Sequence, residues 1–418
     1  MKADVVVLGA GIVGVCAALH LQTRGRSVAL VDRAGPGEGT SYGNAGLIER
    51  SSVVPYAFPR SVPTILRYAL NRSSDVRYDP RDILRAVPFL FRYWRHSSPG
   101  NLAVAARAML PLIEASVDEH DALIEAAEAG DLVRAEGWIA AYRDPRRFEQ
   151  EVADAAALAP HGLRLSVLDS PAFAALEPSV RTGDGGISGA LHWLDPKTVR
   201  DPGELTRRYA RLFERRGGRI LVGDAGSLHA SGQGWAVRTG GGEVAAPDAV
   251  VALGPQSDTI FRTLGYAIPL GIKRGYHRHF TLPEGVALRH AVVDEEAGYV
   301  LAPMRQGVRL TTGVEFARSD RPADGRQIAL AERKAREILD LGTPVEAHPW
   351  LGRRPCLPDM RPVIGPAPRH PGLWFSFGHA HHGLTVGPAS GRLLAELMTG
   401  AEPFADPAPY RADRFGPR

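Results

Sequence analysis

Apolar residues in this chain are patterned in two ways, and the change from one to the other divides it. Val5-Val6-Val7-Leu8 is a short, wholly apolar run, the pattern of a strand buried on both faces. A helix follows through Ala17-Ala18-Leu19-His20-Leu21, then a second strand, Ser27-Val28-Ala29-Leu30-Val31, closed by Asp32. Further on, Pro202 to Arg216 reads as a helix, Arg219–Val222 and Trp235–Arg238 as strands, and Asp248–Leu253 as another apolar strand ending at Gly254-Pro255. From Ile268 to Gly313 the pattern becomes alternating. Tyr276–Leu282, Ala291–Asp294, Tyr299–Pro303 and Val308–Gly313 read as half-buried antiparallel strands. Gln327 to Leu341 predicts a helix, Gly372–Phe377 a strand, and Pro388 to Met398 a final helix.

Between these blocks, Val62 to Gly130 reads as mostly helical, with breaks at Pro80 and Pro88, and Gly137 to Tyr142 as a strand. Within it, Val87-Pro88-Phe89-Leu90-Phe91-Arg92-Tyr93-Trp94-Arg95-His96 mixes aromatics with arginines. A helix with its aromatic face packed inward is the expectation. The alternative is a patch that docks on a membrane surface or a partner.

The first strand and helix are joined by Gly9-Ala10-Gly11-Ile12-Val13-Gly14. Gly9 permits a tight turn, Gly11 lets a pyrophosphate approach the backbone, and Gly14 allows close helix–strand packing. Asp32 can accept hydrogen bonds from ribose hydroxyls. Strand, turn, helix and acid in register predict a bound adenine dinucleotide. Asp32 disfavours a 2′-phosphate while Arg33 welcomes one, so the motif alone leaves NAD, NADP and FAD open. The next segment, Gly35 to Gly46, is a glycine-dense loop rich in free N–H groups and small hydroxyls. That composition suits wrapping a polyanionic or heteroaromatic ligand and tips the choice to FAD.

Composition narrows the rest. A length of 418 residues predicts two domains, here built from discontinuous segments. The net charge of +4 is spread along the chain, so no nucleic-acid stripe is expected. Cys16 and Cys356 are too few for a disulfide framework or a metal cluster, and no secretory or membrane-spanning stretch is read, so the expected location is cytoplasmic.

Four blocks carry a family likeness: Val5–Asp32, Thr40-Ser41-Tyr42-Gly43-Asn44-Ala45-Gly46-Leu47-Ile48, Gly352-Arg353-Arg354-Pro355-Cys356-Leu357-Pro358-Asp359, and Gly378-His379-Ala380-His381-His382-Gly383-Leu384-Thr385. Through them the chain resembles the D-amino-acid oxidase-like flavoproteins, most of all bacterial D-amino-acid dehydrogenases. The resemblance implies an α/β Rossmann-like FAD-binding domain beside an α+β domain whose mostly antiparallel sheet roofs the flavin. The division expected is 1–60, 195–265 and 350–418 for FAD, and 61–194 and 266–349 for substrate.

It further implies oxidation of an amino acid at its Cα–N bond to an imine, hydrolysed to a 2-oxo acid and ammonia. Electrons then pass to a quinone or another non-oxygen acceptor, with peripheral membrane contact as a corollary. No catalytic base is needed, because the flavin takes the hydride. Expected cofactor contacts are Gly9, Gly11, Ile12, Val13, Gly14, Asp32, Arg33, Thr40, Ser41, Asn44, Ala45, Gly46, Leu47, Ala225, Ala252, Gly254, Gly378, His379, His382, Gly383, Leu384 and Thr385. Arg354 is expected to fork the substrate carboxylate, since a guanidinium offers two parallel donors. Tyr276 and Tyr299 are placed near substrate, with His277 and Arg305 as weaker candidates. Related glycine oxidases carry an arginine directly after the proline equivalent to Pro303, where this chain has Met304.

Alternatives within the superfamily are a D-proline or hydroxyproline dehydrogenase, a glycine or sarcosine oxidase, and the flavoprotein subunit of a heteromeric dehydrogenase. An NADPH-linked monooxygenase would need a second glycine fingerprint, which the sequence lacks. The histidines of the last block lack the spacing of a zinc site, so no metal is expected. Cys356 does not align with the cysteine that attaches flavin in sarcosine oxidases.

Overall fold

The computed structural model describes residues 2–232 and 234–416. Val5–Leu8 and Val28–Asp32 sit at the middle of an eight-stranded sheet. Arg219–Ser231 pairs parallel to Val28–Asp32 on one side, and Asp248–Val251 and then Leu373–Phe377 extend the parallel array on the other. Gly234–Thr239, Gly242–Ala246 and Val363–Pro366 add antiparallel edges.

Alternate residues of the two central strands enter different cores. Val5, Val7 and Leu30 pack with the helices Ile12–Thr23, Pro202–Arg215 and Gly383–Thr399, while Val6, Leu8, Ala29 and Val31 pack with Trp235, Phe261 and Phe375. Burial on both faces is why the strands read as unbroken apolar runs.

A second, ten-stranded sheet carries the alternating segments. Gly271–Phe280 lies between Gly307–Thr312 and Trp350–Cys356, and the sheet continues through Tyr299–Met304, Ala291–Asp294, Trp138–Tyr142 and Gly189–Trp193. One face of it packs on the helix Arg326–Ala335 through Tyr276, Phe280, Tyr299 and Leu301. The opposite face, with Trp138, Ala140, Tyr142, Val300 and Ala302, meets Ala45 and Leu47 of the glycine-rich loop.

Several expectations change. The strand Trp350–Cys356 hydrogen-bonds into the second sheet, and the helices Pro99–Glu114 and Ser116–Ala126 bury Met109, Leu112, Ile113 and Leu123 in the core of the first. Pro88 does not break the helix Ile83–His96. The carbonyl it leaves without an N–H partner belongs to Leu84, which is 79% exposed and open to water. That helix turns Phe91 and Trp94 outward while Phe89 and Tyr93 pack inward, Phe89 against Gly271 of the second sheet, so only part of its aromatic face packs as expected.

The last helix starts at Gly383, five residues earlier than predicted, with Pro388 inside it. Here the carbonyl left free by the proline, that of Leu384, accepts from His120 Nε2 at 2.7 Å, and His120 Nδ1 takes the Tyr209 hydroxyl at 2.9 Å. Among the described residues no helix is long and apolar enough to cross a membrane.

Candidate active site

The glycine turn is dictated by contact. Gly9 has φ +105°, and a Cβ there would lie 2.5 Å from the Ala252 carbonyl oxygen; one on Gly14 would lie 1.9 Å from the Gly9 carbonyl oxygen. Gly11 caps the helix Ile12–Thr23, and the Ile12 N–H donates to Ser41 Oγ at 2.9 Å. Asp32 holds the end of the second strand against this turn, accepting from the Ala10 and Ala34 N–H groups at 2.8 and 2.9 Å. Beside it, Arg33 lines a cavity of about 280 Å³ with Pro255, Gln256 and Arg353. Ala225 lies three residues past Val222, the strand partner of Asp32, and Gly254 opens a short helical turn just after Ala252. All these positions gather at one end of the parallel strands, where open α/β sheets bind nucleotides.

The loop after Arg33 is clamped from the second sheet. Arg309, 2% exposed, donates to the carbonyls of Tyr42 and Asn44, and its Nε meets His279 Nε2 at 2.9 Å. Thr40 donates to the Arg353 carbonyl at 2.9 Å, and the Asn44 amide to that of His381 at 3.4 Å. Gly46, at φ +81°, passes so close to Val199 that a Cβ would meet its carbonyl oxygen at 2.3 Å. Leu47-Ile48 then pairs with Lys197–Val199, and Thr385 Oγ1 donates to the Leu47 carbonyl.

Register in the second sheet decides which side chains look toward this loop. Residues directly opposite one another on antiparallel strands share a face. Lys273 pairs with Arg354, Gly275 with Gly352, and His277 with Trp350, so these six share one face with Thr311 and Arg309. The Arg354 guanidinium lies over Gly275, where a Cβ would be 2.6 Å from Nη1, and donates to the carbonyls of Gly313 at 2.6 Å and Thr312 at 3.0 Å. No carboxylate among the described residues pairs with it, and burial holds its pKa below the usual guanidinium range.

Tyr276 and Tyr299 are on the other face. Tyr276, 1% exposed, donates to Glu315 at 2.9 Å and accepts from Arg274, and the Tyr299 hydroxyl meets Arg143 at 3.3 Å and the Lys334 carbonyl. Both fill the core under Arg326–Ala335, which corrects their expected place beside substrate. Arg305 sits exposed on the turn Met304–Gly307, its N–H on the Arg200 carbonyl, and lines a small cleft with Tyr42, His279 and Arg309. Its neighbour Met304 is the residue that reaches the glycine-rich loop, its methyl 3.1 Å from where a Cβ on Gly46 would sit. His277 does face the site side, stacked on Trp350 at 4.8 Å and beside Tyr42; burial, with Arg309 next to it, pushes its pKa down to about 2, so it stays neutral.

The glycine–histidine loop closes the arrangement. Ala380 N–H donates to the Pro355 carbonyl at 2.9 Å and His379 bridges to Cys356, so Gly378 to His382 lies against the strand that carries Arg354. His379 is fixed by Ser390 at 3.1 Å, and Gly383 begins the last helix where a Cβ would meet Val13 at 3.9 Å. Burial lowers His379 to about 3 and His382 to about 4, while His381 falls well below the usual range through burial, then His382, Arg354 and Lys273.

Sequence reasoning missed several residues here. Lys273 Nζ sits 3.8 Å from the Tyr93 ring centroid, Tyr93 donates to the Tyr56 carbonyl, and the Tyr56 ring meets His381 edge-on at 4.9 Å. Glu49 and Glu295 lie near Tyr56, and burial raises the carboxyl of each to about 7. The odd-numbered alternation Lys273, Gly275, His277, His279 was the available signal for Lys273. Donor atoms cluster within 4.8 Å of one another in Glu49–His381–His382 and in His277–His279–Glu346. The charges of Arg354 and Lys273 oppose a cation at the first, and at the second both His279 nitrogens are already engaged, by Glu346 and Arg309.

Fold and site together define a two-sheet protein with a dinucleotide-type glycine turn and, on its second sheet, an arginine held by backbone carbonyls. The chain belongs to the family of FAD dependent oxidoreductases, which it matches over residues 4–397. It is 31% identical over 411 residues to the D-amino acid dehydrogenase of Methylobacterium nodulans, covering 96% of each chain. It is 29% identical over 430 residues to the D-amino-acid oxidase of Bradyrhizobium diazoefficiens, covering 98% of each. Among solved structures, glycine oxidase from Geobacillus kaustophilus superposes with a TM-score of 0.73 at 20% identity, covering 99% of each chain.

Proposed function

We propose that this chain oxidises the Cα–N bond of a D-amino acid, releasing a 2-oxo acid and ammonia after the imine meets water, and passes the electrons to a quinone or other non-oxygen acceptor. One observation carries the reading: Arg354 presents a guanidinium toward the cofactor loop, anchored only by carbonyls. A half-buried cation without a carboxylate is open to an anionic partner, and an amino acid's own carboxylate supplies it. FAD, when bound, supplies the hydride acceptor. Gly9 to Gly14, Asp32, Arg33, Ser41 and Ala252 hold its adenosine and pyrophosphate in this reading. The loop Asn44–Leu47 and the first turn of the last helix, Gly383 to Thr385, flank its ring, where helix N–H groups favour negative charge.

Substrate must react with its amine neutral. Arg354 and Lys273 disfavour an ammonium between them, so no dedicated base is required. The names of the relatives support a D-amino acid as substrate and leave oxygen as a second acceptor. Exposed Leu66, Leu84, Phe91 and Trp94, interleaved with Arg67, Arg85, Arg92 and Arg95, support a peripheral membrane contact from which a quinone could be reached. An anaerobic panel of D-, L-, imino and N-methyl amino acids tests the reaction. Loss of the oxidised-flavin absorbance with D-amino acids is expected; reduction only by glycine, sarcosine or proline would move the assignment to the alternatives.

A further inference from the structure

Besides Arg309, which is committed to His279 and to the Tyr42 and Asn44 carbonyls, the site has two cations on the same sheet face, and a simple amino acid has one carboxylate. Lys273 and Arg354 are register partners, but their charged ends part. The Arg354 guanidinium leans along the strand to lie over Gly275 and is fixed there by the Gly313 and Thr312 carbonyls. Lys273 turns to the Tyr93 ring, 3.8 Å from its centroid. Lys273 and Gly275, two residues apart on the strand, are offset by about 7 Å along the backbone, so the two cations serve separate positions on the face. Tyr93 is 5% exposed, and Tyr93, Tyr56 and His381 form a continuous wall from the lysine back to the glycine–histidine loop.

Lys273 is half-buried, and the ring faces only one of its three donors, which leaves the others for water or a ligand oxygen. The local acids do not fill the need. Glu49 hydrogen-bonds Ser52, and Glu295 lies beside Arg147.

We propose that the amino acid oxidised here carries a second, side-chain carboxylate, with Arg354 taking the α-carboxylate and Lys273 the distal one. This rests on the amino-acid-oxidising reading and names its substrate class: acidic amino acids such as D-glutamate and D-aspartate. The test uses the FAD-loaded full chain, with D-glutamate and its neutral isostere D-glutamine as substrates and glutarate, which has no amine to oxidise, as a binding probe. Wild type is expected to show kcat/KM at least about tenfold higher for D-glutamate than for D-glutamine. Lys273→Met should abolish that preference by lowering the D-glutamate value about tenfold more than the D-glutamine value, and should raise the glutarate Kd by calorimetry about tenfold more than the butyrate Kd. Lys273→Arg, which keeps the charge, should retain the preference and guards against a packing defect. Equal use of the two substrates, or a glutarate Kd indifferent to Lys273→Met, overturns the inference. If no amino acid reduces the flavin, the oxidation reading fails, and glutarate binding still decides the role of Lys273.

Discussion

In the proposed reaction, recognition of the substrate carboxylate rests on one residue, Arg354. Arg354→Ala should cost roughly 2–4 kcal/mol of substrate binding, since it removes a charge-assisted pair and leaves a desolvated carboxylate behind. KM should rise accordingly, with FAD content unchanged; a KM like that of wild type would refute the assignment. Gly275→Ala should act on the same quantity indirectly, because the new Cβ would displace the guanidinium that now lies over it. By contrast, Tyr276→Phe and Tyr299→Phe should leave kcat/KM within about twofold and show instead as lost stability of about 1 kcal/mol each, the worth of a buried hydrogen bond. At this scale Arg354 was legible as a candidate from Gly-Arg-Arg-Pro, and its role belongs to the proposed reaction. The tyrosines were not, because an alternating strand tells which residues share a face but not which face meets the cofactor loop.

The two helices whose N-termini meet under the site, Ile12–Thr23 and Gly383–Thr399, pack backbone to backbone. A Cβ on Gly391 would sit 2.8 Å from the carbonyl of Cys16. Gly391→Ala should therefore destabilise by roughly 1–3 kcal/mol and weaken FAD retention, read from the melting temperature and from bound flavin after gel filtration.

His120 completes the second of these helices by bonding the Leu384 carbonyl freed by Pro388, and burial lowers its pKa from 6.5 to about 4. The unfolded chain then binds the extra proton first. His120 lowers stability as pH falls from about 6.5 towards 4, by up to about 1.4 kcal/mol per pH unit, and has no further effect below that. Urea midpoints at pH 7 and pH 5 should differ less in His120→Gln, which keeps a donor but does not titrate; an unchanged difference would mean the histidine is not buried neutral. Pro388 looks like a helix start in sequence, and only its distant partner shows why the helix continues through it.

Across the whole molecule the two sheets face each other over a loop that belongs to neither. Arg309, reaching from the second sheet to Tyr42 and Asn44, makes loop and roof one unit. The segment between Val62 and His96 adds the strand Val76–Tyr78 to the edge of the second sheet and leaves Leu66, Leu84, Phe91 and Trp94 exposed among arginines. If this face seats on lipid, the protein should co-sediment with anionic vesicles and not with zwitterionic ones, and Leu84→Glu with Phe91→Glu should abolish it; equal recovery with both lipids would remove the membrane from the proposal.

Local pattern sufficed for what depends on neighbours in the chain: continuous apolar runs marked the doubly buried parallel strands, alternation marked the second sheet, and spaced glycines with Asp32 marked the nucleotide turn. Tertiary structure alone decided that Lys273 stands beside Arg354, that Tyr276 and Tyr299 face away, and that helices far from the fingerprint complete its core. Those facts are set by register and by which surfaces lose water together, and neither quantity is carried by any single stretch of sequence.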